Sequence, residues 1–100
     1  TAISGSGPAY FFLLVEQMIQ AGTEMGLSAE HARQLAVATA AGAIKMLESS
    51  GDAPAELRRK VTSPGGTTQA AVETMESRGV PDSIRAALHR AHQRARELSK

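Results

Sequence analysis

The stretch Ala9-Tyr10-Phe11-Phe12-Leu13-Leu14-Val15 sets the tightest limit on how this chain folds. It follows Gly7-Pro8, and proline in the first turn of a helix gives up no hydrogen bond, because that N–H has no helical partner. Helical spacing continues to about Met25 and stops at Gly26, a residue suited to a left-handed cap. A helix whose first half is apolar on every side is buried on every side. One hundred residues supply one modest domain. That leaves little chain to surround such a helix, so a second subunit or a second domain is expected against it. The run itself is too short to span a bilayer and has no basic segment before it, so neither a membrane anchor nor a signal peptide is expected.

Eighteen alanines and only three aromatics accompany that run, and the aromatics are the consecutive Tyr10, Phe11 and Phe12. Alanine is the best helix former and poor strand material, so the fold class is all-α. Small residues let helix axes approach but fill little volume. The core of one chain is therefore thin, and another copy is expected to complete it. The absence of cysteine excludes disulfides and thiolate metal sites. The net charge of +1 comes from 11 basic and 10 acidic residues, which gives no ground for a nucleic-acid or membrane partner. A cytoplasmic setting is the expectation. Because the chain begins at Thr1, it is also expected to be a fragment or a processed product.

The pattern predicts a bundle of about five helices. The second opens at Ser28, an N-cap residue, with Glu30 in its first turn and an end near Ser49–Gly51. A short third helix starts near Asp52 and Pro54, with Asp52 as its cap, and carries Leu57 and Val61 on one side. A fourth begins at Thr67 or Thr68 and ends before Gly79. Pro81 and Asp82 open the fifth, whose apolar stripe is Ile84, Ala87, Leu88, Ala91, Ala95 and Leu98.

Between the third and fourth helices lies Val61-Thr62-Ser63-Pro64-Gly65-Gly66-Thr67-Thr68, the most specific chemistry in the chain. Pro64 fixes its own φ and biases Ser63 toward extended geometry. Gly65 and Gly66 permit positive φ and leave room for a ligand beside the backbone. The free N–H groups of a helix start attract an anion, helped by the helix dipole. Two readings stand on these residues alone: an anion cradle, or an ordinary turn with a threonine cap. A nucleotide P-loop is excluded, since no lysine follows the second glycine and the glycine spacing differs.

Leu57-Arg58-Arg59-Lys60-Val61-Thr62-Ser63-Pro64-Gly65-Gly66-Thr67-Thr68 resembles the signature of pyrroline-5-carboxylate reductases. Ser4-Gly5-Ser6-Gly7-Pro8-Ala9-Tyr10 is similar to a second stretch of that family, and the Gly79-Val80-Pro81 turn fits as well. The resemblance covers nearly the whole chain. It implies an interlocked homodimerisation domain of the 6-phosphogluconate-dehydrogenase-like C-terminal type, residues 1–100, preceded in the whole protein by a Rossmann domain. It implies reduction of 1-pyrroline-5-carboxylate to proline by NADPH or NADH, with the cofactor bound mainly by that other domain. On the same resemblance, Ser63, Gly65, Gly66, Thr67 and Thr68 contact the substrate carboxylate, while Lys60 and Val61 lie near the cofactor. Tyr10 is the aromatic expected to wall the site. No strand followed by Gly-x-Gly-x-x-Gly occurs here, so the chain alone is expected to be inactive. Relatives often carry histidine before the proline matching Pro54, where this chain has Ala53.

Hydride addition to a C=N bond requires orientation rather than a nucleophile, and no catalytic triad, carboxylate dyad or Cys–His pair is found. No catalytic residue is therefore assigned. His89 and His92 stand three apart on the last helix without a third ligand, so no metal site is assigned. The arginines of that helix lack interleaved aromatics and read as a solvated or subunit-facing surface. Two rival readings remain: a stand-alone helical dimerisation module, and the helical domain of another nicotinamide-dependent dehydrogenase. The all-round apolar first helix predicts self-association. Light scattering at micromolar concentration should return twice the chain mass, and a well-folded monomer would contradict it.

Overall fold

The computed structural model describes residues 1–100 and contains five helices and no strand: α1 (Gly7–Glu24), α2 (Ala29–Ser50), α3 (Pro54–Lys60), α4 (Thr67–Ser77) and α5 (Val80–Leu98). They fall into two compact units, Gly7–Gly51 and the remainder, Thr1–Ser6 with Asp52–Lys100.

The first unit is an antiparallel helical hairpin, and local chemistry accounts for both sides of its turn. At the end of α1, Gly26 adopts φ +106°. The Leu27 N–H donates to the Gly22 carbonyl at 3.0 Å and the Gly26 N–H to the Thr23 carbonyl at 3.1 Å. This pair of bonds is a Schellman stop, which satisfies carbonyls that the helix itself leaves open. Ser28 then caps α2: its hydroxyl oxygen accepts from the His31 N–H at 3.1 Å. Gly51, at φ +72°, ends the helix.

Where α1 meets α2 the contact is unusually close. A Cβ added at Gly22 would lie 3.0 Å from the Ala32 Cβ and 3.5 Å from Leu27 Cδ1. Ala32 and Ala36 are the only buried apolar side chains in the whole chain. No apolar side chain larger than a methyl group is therefore fully buried within one copy. The expected thin core is observed, and it is thinner than the composition alone suggests.

In the second unit, Ala53 occupies the N-cap position of α3 with Pro54 as its first residue. The N-cap thus falls one residue after Asp52, whose carboxylate receives Lys60 Nζ at 2.8 Å. Arg58, Arg59 and Lys60 crowd the last turn of α3, where positive charge complements the helix dipole. Gly79, at φ +78°, follows the end of α4 and is also the N-cap of α5; the Ser83 N–H returns to its carbonyl at 2.9 Å. One glycine therefore turns the chain between two helices. Along α5 the apolar stripe is covered only in its middle. Leu88, Ala91 and Ala95 are half-buried, while Ile84 and Leu98 remain exposed.

The Gly22–Ala32 contact generates a direct test. Gly22→Val places branched carbon where two backbones already touch, and should lower stability by about 1–3 kcal/mol. Gly42 has nothing within 4 Å of its added Cβ. Gly42→Ala should therefore hold or gain up to about 1 kcal/mol from helix propensity. Urea titration followed by circular dichroism measures both.

Candidate functional site

Residues 61–69 form a compact turn between α3 and α4. The Gly66 N–H donates to the Ser63 carbonyl at 3.0 Å, closing a four-residue turn. Pro64 stands second and Gly65, at φ +73°, stands third, the arrangement of a type II turn. Only Gly65 uses the positive φ that the sequence permits at both glycines. Gly66 sits at φ −89° and ψ −178°, an extended conformation any residue adopts. Its glycine answers a different need: an added Cβ would lie 3.2 Å from the Ser63 carbonyl oxygen.

The threonine-cap reading is not what the structure has. Gly66 is the N-cap of α4, it supplies no side chain, and Thr67 and Thr68 are the first two helical residues. With Gly66 in the cap position, both threonine hydroxyls are left over. Ser63, Thr67 and Thr68 hydroxyls make no hydrogen bond within the chain, and neither do the N–H groups of Thr67, Thr68 and Gln69. Six donors thus lie within seven consecutive residues at a helix N-terminus, where the dipole favours negative charge.

One organising residue escaped the sequence reading. Gln69 Oε1 accepts from the Gly65 N–H at 2.6 Å. It stands at the third helical position, where Glu or Gln commonly reaches back across a helix start. That spacing was the available signal. The bond ties the glycine apex of the turn to the first turn of α4. Before the turn, the Thr62 hydroxyl donates to the Arg58 carbonyl at 2.6 Å, anchoring it to α3.

Charge at the end of α3 is mostly spent locally. Arg59 pairs with Glu56, and that bond raises the guanidinium pKa above its ordinary value against a small desolvation effect. Lys60 is held by Asp52. Arg58 has no ion pair within the chain. Of the two residues expected near a cofactor, Lys60 is therefore engaged and Val61, at 57% exposure, is open. Tyr10 stands half-buried in the first turn of α1, in the other unit. His89 and His92 line one side of α5, and no group of three or more potential ligands gathers anywhere in the chain.

The hairpin carries a second feature. Phe11, Phe12, Leu13 and Leu14 are each more than half exposed. A groove of about 730 Å³ runs between the helices, walled by Phe12, Val15 and Ile19 on α1 and Val37, Ala41 and Ile44 on α2. An apolar surface of this kind marks an interaction site. No helix of the chain is long and apolar enough to cross a membrane.

The family pattern described as pyrroline-5-carboxylate reductase dimerisation matches residues 1–98, which takes in both the turn and the groove. The chain belongs to this family. It is 52% identical over its full length to the pyrroline-5-carboxylate reductase of Pseudomonas aeruginosa, and 44% identical to that of Corynebacterium melassecola. Among solved structures, the NADP-bound pyrroline carboxylate reductase of Plasmodium falciparum superposes with a TM-score of 0.96 at 32% identity over all of this chain and 38% of its own. The Coxiella burnetii pyrroline-5-carboxylate reductase does so with a TM-score of 0.93 at 43% identity, over 99% of this chain and 37% of its own. The chain spans 37% of the length of both bacterial relatives named first. The all-α architecture expected from alanine content and helical spacing is thus the architecture of the pyrroline-5-carboxylate reductase dimerisation family.

Gly65 gives this site its sharpest stability test. Alanine in the left-handed region costs about 1–2 kcal/mol. Gly65→Ala should therefore shift the urea midpoint down by that amount, while Pro64→Ala should cost no more than about 1 kcal/mol.

Proposed function

We propose that this chain is the C-terminal dimerisation and substrate-gripping domain, residues 1–100, of an enzyme that reduces 1-pyrroline-5-carboxylate to L-proline with NADPH or NADH. The observation that carries this reading is the donor-rich turn at Ser63–Gln69, which lies in a chain matched from end to end by reductases of that name. A Rossmann domain before Thr1 would hold most of the dinucleotide, because no strand with a Gly-x-Gly-x-x-Gly loop occurs in these residues. Val61 and Lys60 would approach it, Lys60 on release from Asp52. The active unit would be a homodimer or an assembly of dimers, working on a small imino acid in the cytoplasm, with no role for nucleic acid or membrane.

The turn would act by holding the substrate carboxylate. Ser63, Thr67 and Thr68 offer hydroxyl donors and the start of α4 offers N–H donors, so a carboxylate there gains charge-assisted bonds. Gly65 and Gly66 keep side chains out of the approach. Gln69 fixes the turn before substrate arrives, which lowers the ordering cost of binding. Bound by its carboxylate, the ring presents one face of its C=N bond in a fixed direction. The nicotinamide, when bound, supplies a hydride to the imine carbon of the protonated substrate. The residues described here orient that carbon, and none is assigned as a proton donor.

Two measurements test the reading. The full-length gene product should reduce NAD(P)+ in the presence of proline at high pH, and the reading frame should carry a strand and Gly-x-Gly-x-x-Gly about 150 residues upstream of Thr1. Absence of both would favour a stand-alone dimerisation module. In the full-length protein, Thr68→Val should raise KM for the imino acid about tenfold, consistent with loss of one bond to a charged group. KM for NAD(P)H should change far less. Equal effects on both would count against a carboxylate contact.

A further inference from the structure

The groove of the α1–α2 hairpin contains one acid and one base, Glu16 and Arg33, set among apolar side chains. Neither has an ion-pair or hydrogen-bond partner within the chain. The hairpin as a whole holds no ion pair, whereas the other unit pairs Asp52–Lys60, Glu56–Arg59 and Asp82–Arg85, and Glu16 and Arg33 are the hairpin charges that line the groove. Covering the groove would strip water from both charges, and a charge buried without a partner is strongly unfavourable. Whatever covers this groove must therefore answer both signs.

A second copy does so with no further ingredient. In a two-fold interface the same patch meets itself, so a contact from one residue to another is repeated in reverse across the axis. A patch carrying one acid and one base is self-complementary under that operation. We propose that Glu16 pairs with Arg33 of the partner subunit, and Arg33 with the partner subunit's Glu16, so that two reciprocal ion pairs fix the register in which the two grooves meet. The inference rests on the homodimer reading given above and adds to it the residues that select the pairing. The apolar walls supply the attraction, which has no direction of its own. The charges penalise any sliding of one hairpin along the other, as polar residues do in helical assemblies.

Charge reversal in the full-length protein tests this, with sedimentation velocity reading self-association and circular dichroism reading helicity. Glu16→Arg alone would set arginine against arginine twice across the axis, and Arg33→Glu alone would set glutamate against glutamate. Each should weaken the dimer on the order of 100-fold. Mixing the two variants should restore it, because the introduced arginine then faces the introduced glutamate and native Glu16 faces native Arg33. The mixed species should be a one-to-one heterodimer. Singles that associate as tightly as the wild type overturn the pairing while leaving the dimer in place. Singles that are rescued by combining both changes in one chain, but not by mixing, also overturn it, since that behaviour belongs to a pair within one chain. No recovery by either route overturns it as well. A wild type that stays monomeric removes the homodimer reading itself.

Discussion

The contact of Gly22 with Ala32 is the constraint from which much of this structure follows. Two helices that touch through a hydrogen atom and a methyl group come very close there, and at that point no larger side chain fits between them. The large side chains are turned outward instead. Phe11, Phe12, Leu13 and Leu14 keep more than half their surface exposed. Removing the remaining exposure of one such side chain contributes on the order of 1 kcal/mol. A native domain is stable by only about 5–15 kcal/mol, so burial of this surface in an assembly is comparable with the whole stability. In the homodimer proposed above, folding and self-association would be parts of one equilibrium.

The turn at Ser63–Gln69 solves the opposite problem. There the chain must leave polar groups unsatisfied and still hold its shape. Each bond it makes serves geometry: Gly66 to Ser63 closes the turn, Gly65 to Gln69 pins its apex, and Thr62 to Arg58 ties it to the preceding helix. Five of the six donors left over belong to Thr67, Thr68 and Gln69, the first residues of α4. The two glycines are not interchangeable in this arrangement. Gly65 is favoured by its φ, and Gly66 by the tight approach of the Ser63 carbonyl. A substitution at either position acts through a different physical cause, although both stand in the same dipeptide.

Much of the fold was legible in the sequence, because its signals are local. Pro8 and Pro54 mark helix starts, Ser28 caps, and Gly26, Gly51 and Gly79 carry the positive φ at which helices stop. These depend on residues within one turn of each other. What escaped involves groups linked across a change of structure. Lys60 and Asp52 are eight residues apart, spanning the start of α3, so no helical spacing rule connects them. Gln69 lies in α4 but acts on a glycine of the turn before it. The helix starts at Thr67, within the expected bounds, but its cap is Gly66 and not a threonine. The composition of the candidate site was readable in the chain, and the wiring that shapes it was not.

A fold that depends on a partner changes what its interior residues are selected to do. In a self-sufficient domain, the core holds the chain together and the surface chooses partners. In the proposed dimer the same side chains would do both, because the apolar walls of the hairpin are exposed within one copy. Apolar contact is strong but indifferent to register, and a groove lined only by Val, Ile, Phe and Ala would accept neighbouring hairpins at several offsets. Order in such an interface has to come from groups with sign or direction. Glycine and alanine provide it within the hairpin, where a close approach permits one alignment. In the proposed dimer that role would fall to Glu16 and Arg33, and linkage of folding to association would make their effect concentration-dependent.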